Sequence, residues 1–450
     1  MSKKVMNCQP AFVILAAGKG TRMKSTLPKV MHKVVGLPMV GHVIQMAKNY
    51  VDTNQIIVVS RKDAAELNDY LVKQDINITW QEEQLGTAHA VKEALEQAEV
   101  NSEYLMIAYG DTPLITEETF EKLFDKATKY DLVICGFNYL APNRYGRIKT
   151  EGEHALKIVE FKDATDEERK ITLCNSGVMI GKTELIKNLI KQIDNQNKAE
   201  EYYLTDLVGV FNQRGYKVSF IQASQEEFLG ANDRDELAEL EAIFQTRLRK
   251  KIMQEGVTLL DPNSTYFSYD TKIGMDSIIY PNVFFEPKVV IGNNTIIYAN
   301  CFIEESKVGN NCKVGPFAKL RGDTILANKS EIGSFVEVKG SIVGENSKAK
   351  HLAYIGDAEL ACDVNIGAGV IFCNYDGVNK HKVIIEQEVF IGSNSSLVAP
   401  INLKKGVYVA AGSVVTRDAG NDELVITRAE EKHIPEKGKK LREKAKIHQK

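Results

Sequence analysis

Cysteine is scarce and unpaired in pattern. The seven residues (Cys8, Cys135, Cys174, Cys301, Cys312, Cys362 and Cys373) form no CxxC, and an odd count suits free thiols in a reducing cytoplasm better than a disulfide framework. No zinc site is readable from them. No apolar run approaches about 18 residues, which excludes a transmembrane helix. The short apolar stretch in MSKKVMNCQPAFVILAAG follows Pro10 and leads into a basic loop, so it does not read as an export signal. Excess charge is also lacking. With 57 Lys and Arg against 60 Asp and Glu the net charge is −3, which argues against bulk nucleic-acid binding. The one basic cluster, Lys432 to Lys450, has the composition of a solvated tail. A cytoplasmic protein of 450 residues with two or three domains is expected.

Two familiar phosphate patterns are missing as well. In FVILAAGKGTRMKSTLPKV an apolar run enters a loop rich in glycine and basic residues, the general recipe for bringing backbone N–H groups to an anion. Gly18, Lys19, Gly20 and Thr21 break the Walker spacing, and Met23 stands where a dinucleotide fingerprint needs its third glycine. The loop alone leaves a phosphate site and an ordinary βα turn equally open.

What is present divides into two halves. From Ala11 to about Val218, short apolar runs (FVILAAG, QIIVVS, YLMIAYGD, DLVICGF) alternate with amphipathic stretches, which implies a parallel or mostly parallel α/β sheet. Ligands of such sheets bind beyond the carboxyl ends of strands, where the opening loop and AYGDTPL both fall. Leu237, Leu240, Phe244, Leu248 and Ile252 then recur at spacings of three and four within Asn232 to Gly256, the stripe of a linking helix. Beyond it the period becomes six. Aliphatic or aromatic residues fall at Ile273, Ile279, Phe285, Ile291, Ile297 and Ile303, resume after a slip at Val308, and continue to Val415 around an insertion near Asn374 to Lys382. Such hexads predict a parallel β-helix in which each buried side chain stacks on its counterpart 18 residues away.

The motifs LAAGKGTRM, LPKV, QEEQLGTAHA, YGDTPL, YGRI, EYYLTD and GANDR, followed by VEVK, HLAYIGDA, NIGAG and NYDG, occur in this order over nearly the whole chain. In this the sequence closely resembles the bacterial bifunctional N-acetylglucosamine-1-phosphate uridyltransferase and glucosamine-1-phosphate N-acetyltransferase family. The resemblance implies a Rossmann-like mixed-sheet nucleotidyltransferase domain (1–234), a linker helix (235–255) and a left-handed β-helix acetyltransferase domain ending in a basic tail (256–450). It implies a cytoplasmic homotrimer with no nucleic-acid or membrane partner, supplying UDP-N-acetylglucosamine for peptidoglycan and lipid A. Its substrates would be glucosamine-1-phosphate, acetyl-CoA, UTP and N-acetylglucosamine-1-phosphate.

By that resemblance the opening loop is a triphosphate cradle, with Arg22 on the pyrophosphate end and Lys29 on the α or sugar phosphate. Asp111, otherwise a common turn former, and Asn232, otherwise a helix N-cap, would hold Mg²⁺ through hard oxygen donors. Gln81 would read uracil, with Leu15, Ala16, Ala17 and Gly18 and the pair Gly86 and Thr87 approaching the nucleotide through backbone. Tyr109, Gly110, Gly146, Glu160 and Asn175 would bind the sugar and its phosphate. In the hexad half, His351 would be the base that takes the amine proton. Arg321 and Lys339 would anchor the sugar phosphate, and Tyr354 and Asn365 would complete the pocket. Ala368, Asn374, Tyr375, Ser393, Ala411 and Arg428 would face acetyl-CoA.

Two departures flank the proposed phosphate anchors. LRGD stands where the family usually has LRPG, losing a proline that would stiffen the turn after Arg321, and Gly340 follows VEVK in place of a second lysine. Two rival readings are a single-activity sugar-1-phosphate nucleotidyltransferase with a structural or regulatory β-helix, and a non-catalytic sugar-nucleotide sensor or scaffold. The set His351, Arg321, Lys339 and Tyr354 argues against the first. The presence of Arg22, Lys29 and Asp111 argues against the second.

Overall fold

The computed structural model describes residues 9–139 and 143–447, so Cys8, the early lysines and the last residues of the basic stretch lie outside the described residues. Two compact units are formed, Met1–Arg247 and Leu248–Lys450. The division falls inside the helix Arg234–Gln254.

The first unit is built on a nine-stranded sheet. Asn77–Trp80, Ile56–Ser60, Ala11–Leu15 and Tyr104–Tyr109 run parallel in that spatial order. Leu173–Lys182 then enters antiparallel between Tyr104–Tyr109 and Leu132–Asn138. The sheet is therefore mixed, and its far edge is the antiparallel pair His154–Val159 and Arg147–Glu151. FVIL is apolar at every position because both faces are covered: Phe12 and Ile14 join one core, Ala11, Val13 and Leu15 the other. Helices such as Met39–Lys48 and Thr87–Gln97 supply the covering layers. Strands that end side by side bring their following loops together. Gly110 N–H donates to Leu15 O (2.9 Å) and Ala16 N–H to Val59 O (2.9 Å) at that edge.

The second unit is a left-handed β-helix. Its short strands stack into three parallel sheets of ten, eight and eight strands. In the strands from Lys272 to Val415 the hexad aliphatic residue is buried, as in Ile279 on Ile297 and Val338 on Ile355. Where the period slips, Ile291 stacks on Val308, one residue short of the usual offset, and the ladder is kept. Corners need left-handed backbone, and Asn and Asp supply much of it, as at Asp276, Asn282, Asn294, Asn300 and Asn311. The insertion leaves the coil between Ile371–Cys373 and Val383–Ile385, pinned by a Tyr375–Lys380 bridge.

Candidate functional site

Two clefts open at the carboxyl edge of the first unit's sheet. One, of about 360 Å³, is lined by Leu15, Ala16, Ala17, Gly18, Lys29, Gln81, Gly86, Thr87, Tyr109 and Asp111. The other, of about 440 Å³, is lined by Tyr109, Asp111, Gly146, Glu160, Asn175 and Asn232 together with Arg144, Tyr145 and Glu236. Tyr109 and Asp111 belong to both, so the residues expected for the nucleotide and those expected for the sugar meet where they stand.

Backbone geometry explains several positions. Gly20 has φ +58°, and a Cβ there would lie 2.5 Å from Lys29 Cβ, so glycine lets the Lys29 segment close over the loop. Gly86 has φ +120° and abuts the Tyr202 backbone, because Ala88 N–H donates to Tyr202 O (2.9 Å) and Tyr202 N–H to Leu85 O (2.8 Å). Thus EYYLTD clamps QLGTAHA. Gln84 Nε2 donates to Ala17 O (2.6 Å), tying the same segment to the glycine-rich loop. Arg22 stands exposed on the Thr21–Met23 turn and lines neither cleft.

In the second cleft, Glu160 accepts from Thr205 Oγ1 (3.0 Å), and burial holds its carboxyl above the ordinary carboxylate range. Burial, reinforced by the Glu160 carboxylate, pushes the Tyr109 phenol well up, so it remains a neutral donor. Asn175 N–H donates to Gly146 O (2.8 Å), while Asn175 Oδ1 accepts from Gly177 N–H (3.1 Å).

Lys29 Nζ lies against the Asp111 carboxylate and donates to Asn232 Oδ1 at 3.2 Å. Both oxygens are thus already turned toward one positive charge. Asn232 is turned that way by Glu236, whose Oε2 accepts from Asn232 N–H (2.7 Å) and Nδ2 (3.0 Å). This pair of hard donors fits a magnesium ion that takes its remaining ligands from phosphate and water. Among the described residues no group of three or more His, Cys, Asp or Glu could hold a metal alone.

In the second unit, Lys319–Arg321, Glu337–Lys339 and Tyr354–Gly356 stack in register, with Arg321 on Lys339 and Glu337 on Tyr354. Arg321 Nε donates to Glu337 Oε1 (2.6 Å), a contact that holds its guanidinium pKa above the usual value. Lys339 Nζ meets Asp357 at 3.1 Å, and Asn374 Nδ2 donates to the same carboxylate. His351 is exposed at the end of Lys348–His351, and Asn365 lies in the next strand of that sheet, paired with Lys348. Ala368, Ser393 and Ala411 fall on successive corners joined by Asn394 N–H to Ala368 O (2.8 Å) and Gly412 N–H to Ser393 O (2.8 Å). Arg428 Cδ approaches this edge, 3.8 Å from where a Cβ on Gly412 would stand, and Tyr375 is exposed on the insertion.

Residues 12–146 match the MobA-like NTP transferase domain, 263–388 the GMPPB C-terminal domain, and 382–417 the hexapeptide repeat of succinyl-transferase. Over 441 residues the chain is 42% identical to the bifunctional protein GlmU of Bartonella bacilliformis, covering 97% of this chain and 98% of that one. The chain belongs to the bifunctional GlmU family. GlmU of Ruegeria sp. is 42% identical over 433 residues, with 96% of each chain covered. GlmU of Agrobacterium fabrum is 41% identical over 436 residues, again at 96% of each.

For a GlmU protein, the two departures have a physical reading. Gly322 (φ +64°), Asp323 (φ +61°) and Gly340 (φ +55°) are all left-handed. Proline cannot take that φ, so the turn after Arg321 is not the proline-stiffened one in looser form; it is a different turn, across which Thr324 Oγ1 donates to Arg321 O (2.7 Å), while Gly340 N–H from the next coil donates to the same oxygen (3.0 Å). The sequence reading missed Glu236, Glu337, Asp357 and Lys380. The first three orient Asn232, Arg321 and Lys339, and Lys380 on the insertion comes against Lys339. Register and loop closure bring Glu337, Asp357 and Lys380 to their partners, so no local signal marked those three; Glu236 stands four residues after Asn232 in the first turn of the helix Arg234–Gln254, a spacing the sequence did carry.

Proposed function

We propose that the first unit transfers UMP and the second transfers the acetyl group. The chain is a bifunctional enzyme of UDP-N-acetylglucosamine synthesis, a nucleotidyltransferase and an N-acetyltransferase whose product serves cell-wall biogenesis. The observation that carries the reading is the near-complete coverage of GlmU relatives at both ends of the chain. The rival reading of a single-activity nucleotidyltransferase has no such support.

In the acetyl step, Arg321 and Lys339 hold the phosphate of glucosamine-1-phosphate. Their acidic partners Glu337 and Asp357 keep them extended toward one face of the β-helix. His351 takes a proton as the sugar amine attacks the thioester carbonyl of acetyl-CoA, and the CoA thiolate leaves and is protonated. Asn365 and Tyr354 position the sugar, and Ala368, Asn374, Tyr375, Ser393, Ala411 and Arg428 receive the CoA.

In the uridyl step, the phosphate of N-acetylglucosamine-1-phosphate attacks the α-phosphorus of UTP and pyrophosphate leaves. Catalysis is alignment of anions and neutralisation of charge. Lys29 bridges the two substrates from the junction of the clefts, Gln81 reads the base, and Glu160 and Asn175 hold the sugar. Arg22 engages the pyrophosphate end from the loop. Asp111 and Asn232 would hold Mg²⁺, which when bound neutralises phosphate charge.

Ladder spacing supports a homotrimer with shared acetyl sites. The proposed acetyl-site residues run from Arg321 to Arg428; the strand of Arg321 and the strand Val414–Val415, which lies between Ala411 and Arg428, are five ladder steps apart in one sheet, about 24 Å at ~4.8 Å per step. A loop such as Asn374 to Lys382 can close part of that distance by reaching across to a neighbouring chain, with cyclic symmetry the simplest closed arrangement. Among the described residues no helix is long and apolar enough to cross a membrane. Incubation with glucosamine-1-phosphate, acetyl-CoA, UTP and Mg²⁺ should yield UDP-N-acetylglucosamine by mass spectrometry. Formation of the nucleotide sugar only from pre-acetylated substrate would refute the acetyltransferase half.

A further inference from the structure

Gln81 is buried, 5% exposed, at the back of the nucleotide-side cleft. Its amide nitrogen faces two protein atoms, Gly86 O at 3.0 Å and His89 Nδ1 at 3.1 Å. A backbone carbonyl can only accept, so the amide must present N–H to Gly86. The second amide proton then points at His89 Nδ1, which must be bare. The imidazole proton is left on Nε2, where Glu93 Oε1 receives it at 3.3 Å. Glu93 is four residues on from His89 in the helix Thr87–Gln97, so the i,i+4 spacing fixes this last contact. The chain from carboxylate to imidazole to amide to carbonyl has one consistent proton arrangement, assigned by the network and not by a single bond.

Its consequence is chemical. With both protons of its amide committed, Gln81 offers the cleft only Oε1, a pure acceptor. Uracil carries a proton on N3 and cytosine does not, so an acceptor held at that edge favours uracil. We infer that His89 is a positioning residue for base selection, holding Gln81 in the orientation that accepts from uracil N3–H and leaves cytosine unpaired. The inference rests on the reading of Gln81 as the base reader. Without an acceptor at His89 the amide has one anchor, Gly86 O, and gains freedom to swing away from the base. The lost selectivity is that of one hydrogen bond, about tenfold.

The test uses the full chain in steady-state uridyl transfer to N-acetylglucosamine-1-phosphate, with UTP and CTP as alternative donors. Gln81→Ala should abolish most of the preference for UTP. His89→Ala should lower the UTP/CTP ratio of kcat/KM about tenfold through a raised KM for UTP, with kcat little changed. His89→Asn, whose side-chain oxygen can stand in for Nδ1 as acceptor, should restore the ratio. His89→Phe, which keeps ring volume without the acceptor, should behave as His89→Ala and covers the case in which the alanine variant does not fold. If Gln81→Ala loses selectivity while His89→Ala or His89→Phe keeps it, the positioning role is wrong. The same holds if the His89 variants slow UTP and CTP equally. An unchanged ratio in Gln81→Ala overturns the base-reader reading itself, and this inference with it.

Discussion

Lowering the pH should destabilise the first unit through His42. This residue lies on the helix Met39–Lys48, its Nε2 is 2.9 Å from Val34 O, and its ring packs tilted against Phe244 with centroids 4.6 Å apart. It thereby holds the segment just after Lys29. Burial lowers its pKa to about 4, only partly offset by the Val34 and Leu37 carbonyls. The unfolded chain has the ordinary histidine value, about 6.5. Between those values the unfolded state binds the extra proton, so stability is present above about 6.5 and is lost as pH falls toward 4. The full loss is about 3 kcal/mol, of which about 2 kcal/mol is gone by pH 5. Other groups act in the opposite sense: the raised carboxyl of Glu160 favours the folded state on acidification. The quantity to measure is therefore the difference between the native chain and His42→Phe. Urea unfolding followed by Trp80, the chain's single tryptophan and a residue of this unit, isolates the relevant core. The native chain should lose about 2 kcal/mol relative to His42→Phe between pH 7.5 and pH 5. A difference flat over that range would refute the assignment of a depressed, buried imidazole.

The two chemistries should separate by mutation: Asp111→Ala should abolish UDP-N-acetylglucosamine formation while leaving thiol release from acetyl-CoA nearly intact, and His351→Ala should cost on the order of 10² to 10⁴ in acetyl transfer alone. Loss of both activities in a folded variant would defeat the two-site division. Gly177→Ala should raise KM for N-acetylglucosamine-1-phosphate more than KM for UTP, because the new Cβ would fall 2.2 Å from Tyr109 Cε2 at φ +84°. An unaltered sugar KM would show that Tyr109 does not shape the sugar subsite. Co-assembly of His351→Ala with Arg428→Ala subunits should recover part of the acetyl transfer that each homo-oligomer lacks. No recovery, or a fully active monomer by light scattering at assay concentration, would refute shared sites.

Periodicity made the β-helix legible, since a buried aliphatic residue every sixth position admits few other structures, and Ile279, Ile297 and Val338 all lie inside as that pattern requires. The strand runs of the first half were legible for a similar reason, yet the antiparallel insertion of Leu173–Lys182 was not, because an apolar run has no direction written in it. Motif order carried the candidate residues onto this chain, and local backbone chemistry then accounts for some of them, as with Gly20 beside Lys29. What the tertiary structure decided is which groups face one another. Lys29, Asp111 and Asn232 are separated by up to 203 positions and meet at a single ammonium. The orienting residues His89, Glu337 and Asp357 look in sequence like any exposed polar residue. Their work depends on distances and donor directions, and those are set only when loops at neighbouring strand ends, or coils stacked in register, close on each other.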